Sequence, residues 1–454
     1  MKLNNLSYSN LIFAGISLST VFILIYNIFY FNPILGYDAE SHYDYINHLS
    51  RYLPRDLSLP THNETREFFN PPIGYIVPSI AQVFCRNLIE SSDFLRDCQP
   101  YFGNVTQIFQ SIMYIATIII NLYTLKLFNN SKNIINVSYL ILVSLLAVNY
   151  RTISMVRGEP YILFFLSLFL FIINKHEEEK FEFNYKSIFL TGLIIGGIAL
   201  SRQWGFLLFL PLIILFFSKQ LNIKYFKLWS FSALIGAAVS SWFYINLFIK
   251  YGTFTPFNMK SPGFSFSNQR LSFYFPNYEQ LTYLFYKPIR PHLDNQFFSI
   301  LYSDLWGDYW GYFTFTSRFL DIGRNQLIIG DYFARVNLIS IFTTLIIIVF
   351  SYLTYKNYKS RFLIQYINLA IISSLLGYFI FAITYPDWTG DSIKATYIIQ
   401  MFHLAVFLSS IYFQKLEKIN KKIYNVILSI LVLIYIHNFQ TYLSHFPLNF
   451  YNYP

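Results

Sequence analysis

Charged residues are scarce in this sequence. Asp, Glu, Lys and Arg make up 12% of its 454 residues, whereas hydrophobic residues make up 55% and include 50 Phe and 39 Tyr. The mean hydropathy is +0.41. This composition excludes a soluble core and indicates a membrane protein with several spans.

Two other features are absent. No repeat or low-complexity segment stands out. The first apolar segment, Leu11 to Phe31, has neither a basic flank nor a small-residue cleavage site, which argues against a cleavable signal peptide. Its length suits one bilayer crossing of about 20 residues. We therefore expect this segment to remain as the first span, and the tail after residue 441 to hold no further domain.

Cysteine is also nearly absent. The chain has two, Cys85 and Cys98, and both lie in the long segment after the first span. They could form a disulfide in an oxidising compartment or remain two unrelated thiols. Because pairing requires close Cα atoms, the sequence favours neither alternative.

The apolar segments predict an all-helical membrane domain. A lipid-exposed backbone must satisfy its own hydrogen bonds, so each segment is expected to form a helix. The segments give about eleven spans, within a range of about ten to thirteen because some of them are short. They are 11–31, 105–128, 134–150, 158–174, 187–201, 205–217, 228–249, 336–355, 362–384, 396–414 and 423–441.

The net charge of +10 follows the topology of these spans. Lys and Arg concentrate in alternate short loops, such as 175–186, 356–361 and 415–422. Cytoplasmic loops carry this bias, so the basic excess is a topology signal and does not indicate nucleic-acid binding. It places the two long loops, 32–104 and 250–335, on the extracytoplasmic side.

The first long loop is predicted to contain two amphipathic helices. The second of them begins near "NPPIGYIVPSIAQVF", where a proline suits the first helical turn. We expect both to rest on the outer membrane surface or against the bundle. Apolar residues share one face of the first helix: Ala39, Tyr43, Ile46, Leu49 and Leu53.

The second long loop is rich in aromatic residues and contains "YSDLWGDYWGYF" at 302–313. Trp306 and Trp310 could stack on a sugar ring or lie at the lipid interface, which is the commoner location. Asp308 could bind an acceptor or cap a turn between glycines, and turn capping is the simpler interpretation.

The stretch "GYDAESHYDYINHL" holds the first candidate for chemistry. Asp38 could cap the following helix by accepting backbone N–H groups, with Glu40 favourable near the helix dipole. It could instead deprotonate an acceptor hydroxyl or bind a divalent cation at the membrane surface. His42 lies one helical turn further on and could support either of these chemical roles.

Four motifs follow the first span in order: "YDAESHYDYINHL", "FFNPPIGYI", "MVRGEPYILFF" and the glycine-rich "TGLIIGGIALSRQWGFLLFLPLI". Their order resembles the GT-C superfamily of integral-membrane glycosyltransferases. The likeness is greatest to the branch that contains protein O-mannosyltransferases and the bacterial lipid A aminoarabinose transferase. It covers the motifs of the first half and the hydropathy of the rest, and it implies one GT-C-like domain over 1–454.

The resemblance implies roles for individual residues. Asp38 matches the catalytic acid of the first outer loop in that family. Arg202 matches the basic residue that often ends a glycine-rich span. A "PPL-aromatic" element of the family is matched by Pro71, Pro72 and Tyr75.

One departure affects the acidic pair of the family. Ala39 separates Asp38 from Glu40, whereas many relatives carry two adjacent acids. The resemblance therefore leaves open whether Glu40 or His42 supports catalysis, and whether a divalent cation is a cofactor.

The family's donor is a polyprenyl-phosphate sugar, which gives a role to cations near the outer ends of the spans. Lys394 precedes a helix whose N-terminal amides would favour an anion. Each cation alone could instead contact lipid headgroups, and Glu159 is expected to pair with Arg157. Four cations on the less basic side favour phosphate binding: Arg151, Arg157, Arg202 and Lys394.

These features predict a glycosyltransferase that transfers a sugar from a polyprenyl-phosphate donor at the extracytoplasmic face. Asp38 would be the general base, and the basic residues would stabilise the leaving phosphate. The expected partners are membrane lipids and a glycan, lipid or protein acceptor, in a bacterial plasma membrane rather than the endoplasmic reticulum. The candidate contacts to acceptor or sugar are Tyr75, Trp306, Asp308 and Trp310.

Two other functions fit parts of the sequence. A lipid-linked glycan ligase or polymerase shares these substrates and concentrates its functional residues in a late outer loop such as 250–335. A membrane transporter requires ionisable residues near the bilayer midplane and internal repeats. The predicted spans carry almost no charge at mid-depth, so the transporter ranks below transfer.

Overall fold

The computed structural model describes residues 8–33, 35–88, 94–130, 136–218, 223–293, 295–314 and 322–444. In these ranges the regular structure is helical, with no β-strand, which confirms the all-helical class. Four short 3₁₀ turns lie at Gln203–Leu208, Phe266–Asn268, Ala395–Ile398 and Phe439–Tyr442. The α-helices are α1 (Tyr8–Tyr30), α2 (Ala39–Tyr52), α3 (Ile73–Leu88), α4 (Phe94–Phe128), α5 (Val137–Ser144), α6 (Ala147–Ser154), α7 (Glu159–Glu178), α8 (Tyr185–Ser201), α9 (Leu210–Ser218), α10 (Ile223–Tyr251), α11 (Leu271–Tyr274), α12 (Tyr278–Leu284), α13 (Phe297–Trp306), α14 (Ile322–Tyr358), α15 (Phe362–Thr384), α16 (Ile399–Ile419) and α17 (Lys421–His437).

Among the described residues, seven helices are long and apolar enough to cross a membrane, or eight if α5 and α6 form one span bent by 65°. The sequence predicted about eleven spans, counting at about 20 residues each. The difference arises because three predicted segments form shorter helices. These helices, with any adjoining 3₁₀ turn, are Tyr185–Ser201, Gln203–Ser218 and Lys421–His437.

The long helix α16 lies at the centre of the bundle. In the apolar 18-residue stretch of this helix and the 3₁₀ turn before it, 78% of the residues are buried. This is the highest share among the candidate spans of the described ranges. It contacts α5, α7, α14, α15 and α17. Lys394 immediately precedes this 3₁₀ turn, so it lies at the end of the most enclosed helix.

In the first long loop, α2 packs on α3, and α3 packs on α4. The rings of Tyr45 and Tyr75 stack with their centres 4.0 Å apart. Tyr45, Ile46 and Leu49 are fully buried, whereas Tyr43 is only half-buried. The buried face of α2 is therefore rotated from the predicted stripe, and contact of these helices with a membrane surface stays a prediction.

The two cysteines form a disulfide that joins α3 to α4. The Cα atoms of Cys85 and Cys98 are 5.7 Å apart. This separation is within the range that a disulfide requires. The structure thereby decides between the two alternatives that the sequence left open.

The second long loop contains three short helices, α11, α12 and α13. Helix α14 begins at Ile322, inside the predicted limits of 250–335. Most side chains of α13 are buried, including Asp304 and Trp306. This helix therefore places polar groups of the loop inside the protein.

Replacing Cys85 by Ser is expected to lower the melting temperature of the protein in detergent. A cross-link between residues 13 positions apart restricts the unfolded chain. Such a cross-link stabilises a fold by about 3 kcal/mol. Thermal melting followed by circular dichroism measures the loss, and Cys98→Ser should reproduce it. Maleimide labelling of the wild-type thiols without a reductant would contradict the pairing.

Candidate active site

A cavity of about 440 Å³ lies at one end of the helix bundle. This volume is in the range of small-molecule sites. Its wall comes from the residues before α2, the α2–α3 loop, the segments on both sides of α13, and the segments after α8, α10 and α15. Asp38, Arg202, Trp310 and Lys394 all line it. The fold thus brings together four candidates from distant segments.

An ion pair between Asp38 and Lys394 lies on the cavity wall. Nζ of Lys394 is 3.2 Å from Oδ2 of Asp38 and 3.4 Å from the hydroxyl of Tyr397. Asp38 precedes α2 with a φ of 53°, a left-handed conformation that Asp tolerates. Its side chain accepts no hydrogen bond from the helix amides. The helix-capping alternative is therefore wrong, and the carboxylate binds Lys394 instead.

Neighbouring cations hold the pKa of Asp38 well below its ordinary value. Burial alone would raise this pKa, but the charges of Lys394 and Arg157 outweigh burial. The pKa of Lys394 lies above its usual range because Tyr397 and Asp38 together outweigh burial, which lowers it. Both groups are therefore charged at neutral pH. The Asp38 side chain is 35% exposed, so a substrate can reach it.

Arg202 is held between two acids. Its Nε donates to Oε1 of Glu159 at 2.9 Å, and its Nη1 lies 3.5 Å from Oε2 of Glu67. A Cβ on Gly158 would come within 2.3 Å of the carbonyl oxygen that ends α8. Glycine at this position therefore permits the close approach of α7 and α8. Glu159 forms its close ion pair with Arg202 and not with Arg157, although its charge also acts on the Arg157 guanidinium.

Arg157 is buried and is not part of the described cavity wall. Its buried Nη2 donates to the carbonyl oxygen of Tyr37 at 2.6 Å, and its guanidinium lies 5.2 Å from the centre of the Tyr37 ring. Nε and Nη1 have no hydrogen-bond partner within the described part of the chain. Arg157 therefore fixes the residue before Asp38 and adds positive charge close to that carboxylate.

Arg151 is bonded inside the protein and does not reach the cavity. Its Nη2 is 2.9 Å from Oδ1 of Asp304, and its Nη1 is 3.7 Å from Oδ1 of Asp308. The same two nitrogens donate to the carbonyl oxygens of Asp304 and Gly307 at 2.6 and 2.7 Å. Arg151 is 1% exposed. Because it is not part of the described cavity wall, we do not include it among the groups that bind phosphate.

Trp310 is the one of the four predicted acceptor contacts that lines the cavity within the described residues. Its Nε1 donates to the carbonyl oxygen of Ile393 at 3.1 Å. The guanidinium of Arg290 lies 5.5 Å from the centre of the Trp310 ring. The buried ring is thereby fixed in the cavity wall, close to the segment that carries Lys394.

The other three predicted contacts lie inside the protein. Nε1 of Trp306 donates to Oγ1 of Thr344 at 3.1 Å. Asp308 accepts the backbone N–H groups five and six residues further on at 2.9 and 2.8 Å, which is the turn-capping role that the sequence favoured. The Tyr75 hydroxyl is 2.6 Å from Nδ1 of His42. These contacts stabilise the fold around the site.

The three candidates for a metal site, Asp38, Glu40 and His42, do not form a metal-binding group within the described residues. Glu40 is exposed, whereas His42 is buried and bonded to Tyr75. Neither is part of the described cavity wall, where Asp38 lies. Across the described ranges, no group of three or more His, Cys, Asp or Glu side chains is placed to hold a metal ion. A divalent cation therefore stays an expectation from the resemblance alone.

Two carboxylates of the site were missed in the sequence. Glu67 is 5% exposed, lines the cavity and accepts a hydrogen bond from Nδ2 of Asn70. Burial raises its pKa, and the charge of Arg202 opposes that shift. Asp304 is completely buried behind the cavity. A signal was present for both, because each acid stands beside large apolar residues, in "REFF" and "YSDLW".

No protein-family model matches the sequence, and no curated protein sequence is significantly similar to it. Solved structures are similar in fold. The archaeal oligosaccharyltransferase AglB from Archaeoglobus fulgidus, in complex with an inhibitory peptide and a dolichol-phosphate, aligns with a TM-score of 0.50 at 13% identity. That alignment covers 97% of this chain and 56% of that chain.

Two further structures of the Archaeoglobus fulgidus oligosaccharyltransferase align less well. The apo form has a TM-score of 0.49 at 14% identity, covering 97% of this chain and 56% of that one. The complex with Zn and sulfate has a TM-score of 0.48 at 14% identity, covering 96% and 53%.

This chain shares its fold with the archaeal oligosaccharyltransferase. It spans about half the length of the structures that it matches. The resemblance seen in the sequence is therefore supported at the level of the fold, and the narrower branch stays a prediction.

The ion pair of Asp38 and Lys394 predicts a defined pH dependence of stability. The pKa of Asp38 is lower in the folded protein than in the unfolded chain. The pair therefore stabilises the fold fully above the unfolded pKa of about 3.9, and its contribution is lost as the pH falls below that value. The melting-temperature difference between wild type and Asp38→Asn should be constant from about pH 8 to about pH 5 and shrink toward about pH 3.

Differential scanning fluorimetry in a detergent that is uncharged over this range measures both proteins at each pH. A difference that grew on acidification would contradict the ion pair.

Proposed function

We propose that this protein is a membrane glycosyltransferase that moves a sugar from a polyprenyl-phosphate donor to an acceptor at the extracytoplasmic face. One observation carries the proposal: Asp38, Arg202 and Lys394 line a single cavity although they come from distant segments. The fold supports it, because a structure with this fold was solved with a dolichol-phosphate and an inhibitory peptide.

Lys394 and Arg202 are suited to a phosphate group. The ammonium of Lys394 is bound by one carboxylate and one hydroxyl at the cavity wall. A phosphate carries more charge and more acceptor oxygens than one carboxylate, so it can replace Asp38 as the partner of Lys394. Arg202 is held between its two acids, which offset its charge. It lines the same cavity, and its Nη1 has no hydrogen-bond partner within the described residues, so it can donate to a phosphate oxygen.

This exchange of partners gives Asp38 its role. When the phosphate takes Lys394, Asp38 loses the charge that lowers its pKa most, and it becomes a better proton acceptor. The acceptor hydroxyl then gives its proton to Asp38 while its oxygen bonds to the anomeric carbon of the sugar. The bond from that carbon to the phosphate oxygen breaks, and polyprenyl phosphate leaves with the electron pair, stabilised by the two cations. The resemblance implies inversion at the anomeric carbon.

An apolar groove of about 480 Å³ supports a lipid-linked donor. The groove is formed by α8, α9, α10 and the 3₁₀ turn before α9, and Phe206 lines both the groove and the polar cavity. From Trp229 to Ser240, helix α10 advances roughly 16 Å along it, at a rise of about 1.5 Å per residue. An isoprenoid chain attached to a phosphate in the cavity would find apolar walls along this length.

A lipid-linked glycan ligase or polymerase is the second candidate. It is favoured by one observation: the late outer loop contributes Thr255, Asn258, Arg290 and Trp310 to the cavity wall. The products distinguish the two functions. Mass spectrometry of the glycosylated acceptor shows one added sugar for a transferase, and an added chain for a ligase or polymerase.

The proposed site lies on the extracytoplasmic side of a bacterial plasma membrane. The distribution of basic residues between loops supports this orientation. The titratable groups described above gather at one end of the bundle, which fits an interfacial transfer reaction better than transport through the bilayer.

Asp38→Asn is expected to lower kcat by about 10² to 10⁴ while donor binding persists, because Asn keeps the shape but cannot accept the proton. Transfer from a radiolabelled polyprenyl-phosphate sugar, with membranes as the source of acceptor, measures kcat. Near-normal turnover by Asp38→Asn would contradict its role as the general base.

Lys394→Gln should instead weaken donor affinity by about tenfold to a hundredfold, since it removes a charged donor to phosphate.

Lys394 is a cleaner test than Arg202. Arg202→Ala should also weaken donor binding, but it leaves two buried acids without their cation. Lys250→Gln is the matched control for Lys394→Gln, because Lys250 is exposed at the end of α10 and is not part of the cavity wall. Equal effects of the two lysine variants would contradict phosphate binding by Lys394.

Ala237→Trp fills the apolar groove and should raise KM for a long-chain donor about tenfold, since each buried methylene contributes about 0.8 kcal/mol. KM for a short donor such as a farnesyl-phosphate sugar should change little. Leu345→Trp, at an exposed position on α14, is the control. An equal rise in KM for the long and the short donor would argue against an isoprenoid chain in the groove.

A further inference from the structure

One carboxylate joins the two segments that carry the ion pair of the cavity. Oδ1 of Asp304 accepts the hydroxyl of Tyr37 at 3.1 Å, and Oδ2 accepts the backbone N–H of Ala395 at 2.7 Å. Tyr37 immediately precedes Asp38, and Ala395 immediately follows Lys394. The two oxygens of one side chain therefore hold the neighbours of both members of the pair.

We infer that Asp304 is a positioning residue that sets the spacing between Asp38 and Lys394 without touching substrate. The inference rests on the proposed function, because this spacing matters for catalysis only if the pair acts on a donor and an acceptor. Asp304 is completely buried and is not part of the described cavity wall, so its effect must pass through Tyr37 and Ala395.

The charge of Asp304 is balanced by Arg151. Nη2 of Arg151 lies 2.9 Å from Oδ1 of Asp304 and also donates to its carbonyl oxygen at 2.6 Å. A buried ion pair contributes little net stability, because desolvation of two charges offsets their attraction. Fixed geometry is the benefit that such a pair can provide, and here it fixes the residues beside the site.

The position of the Tyr37 ring follows from the same hydroxyl bond. Nζ of Lys394 lies 4.9 Å from the centre of this ring, and the guanidinium of Arg157 lies 5.2 Å from it. The ring therefore forms a surface against which two cations of the site rest. Movement of Tyr37 would displace both the carboxylate that follows it and the ammonium beside it.

Asp308 provides a matched control within the same segment. It is as deeply buried as Asp304 and is also close to Arg151, with Nη1 and Oδ1 3.7 Å apart. Its other carboxylate oxygen accepts backbone N–H groups of Phe313 and Thr314. Within the described residues it has no hydrogen bond to Tyr37 or Ala395, although its charge acts on Tyr37. A purely structural role for buried acids near Arg151 predicts equal effects of the two substitutions.

The first experiment compares Asp304→Asn and Asp308→Asn in the full-length protein in lipid nanodiscs. Isothermal titration with polyprenyl phosphate measures Kd, and thermal melting measures stability. We expect Asp304→Asn to raise Kd about tenfold, as expected for displacement of a charged donor, and Asp308→Asn to raise it less than about twofold at a comparable loss of melting temperature. Equal Kd changes in the two variants would overturn the inference.

The second experiment needs no substrate. Acetylation by an N-hydroxysuccinimide ester, quantified by peptide mass spectrometry, measures the reactivity of Lys394. Asp304→Asn should accelerate modification of Lys394 about tenfold over wild type, because its ammonium loses Asp38 as partner. Equal rates at Lys394 in Asp304→Asn and Asp308→Asn would overturn the positioning role.

Tyr37→Phe tests the same inference if Asp304→Asn fails to fold. It removes the hydroxyl bond to Asp304 but keeps the ring and leaves no buried charge unpaired. It should change Kd and Lys394 reactivity in the same direction as Asp304→Asn, and unchanged values would overturn the inference. Failure of the wild type to bind polyprenyl phosphate would instead reject the proposed function, while the acetylation rates still decide the role of Asp304.

Discussion

The buried contact between Asp304 and Arg151 is the interaction on which the arrangement of the site depends. Arg151 belongs to α6 and Asp304 to α13, and the remaining bonds of Asp304 reach the residue before Asp38 and the residue after Lys394. Four segments that are far apart in the sequence therefore meet at one carboxylate. Because each charge is completely removed from water, neither can move away from the other without a large desolvation cost. Under the inferred role of Asp304, this contact sets the geometry of the ion pair in the cavity wall.

A second constraint explains why the number of long spans is smaller than the apolar segments suggest. The chain leaves α8 at Arg202 in an extended conformation, and a 3₁₀ turn follows before α9. This break interrupts an apolar stretch that the sequence divides only by "RQWG". It also allows the guanidinium to pair with Glu159 at the start of α7. The same local feature therefore shortens two helices and builds one wall of the cavity.

The helical class could be predicted from the apolar segments, because a lipid-exposed backbone must satisfy its own hydrogen bonds. Three residues of the candidate site could be predicted as well: Asp38 and Arg202 from the motifs that resemble the GT-C superfamily, and Lys394 from its place on the less basic side of the membrane. That Arg151 binds buried acids instead of lining the cavity could not be predicted from the sequence. Whether an arginine points into a cavity or to a buried acid depends on its partner, and Asp304 lies 153 positions away. Glu67 was missed for a similar reason, since its partner Arg202 comes from another part of the fold. The local sequence pattern indicates which charged residues are candidates. Pairing with residues far away in the sequence determines which of them line the cavity.

The ring of Phe206 lines both the polar cavity and the apolar groove. Under the proposed function, head group and tail of the donor are recognised on opposite sides of this ring by separate sets of residues. Selection could then retune the preferred carrier length by changes in α9 and α10 alone, leaving the chemistry of the head group untouched. In homologues from membranes with different isoprenoids, we expect the residues of the apolar groove to differ before those of the polar cavity.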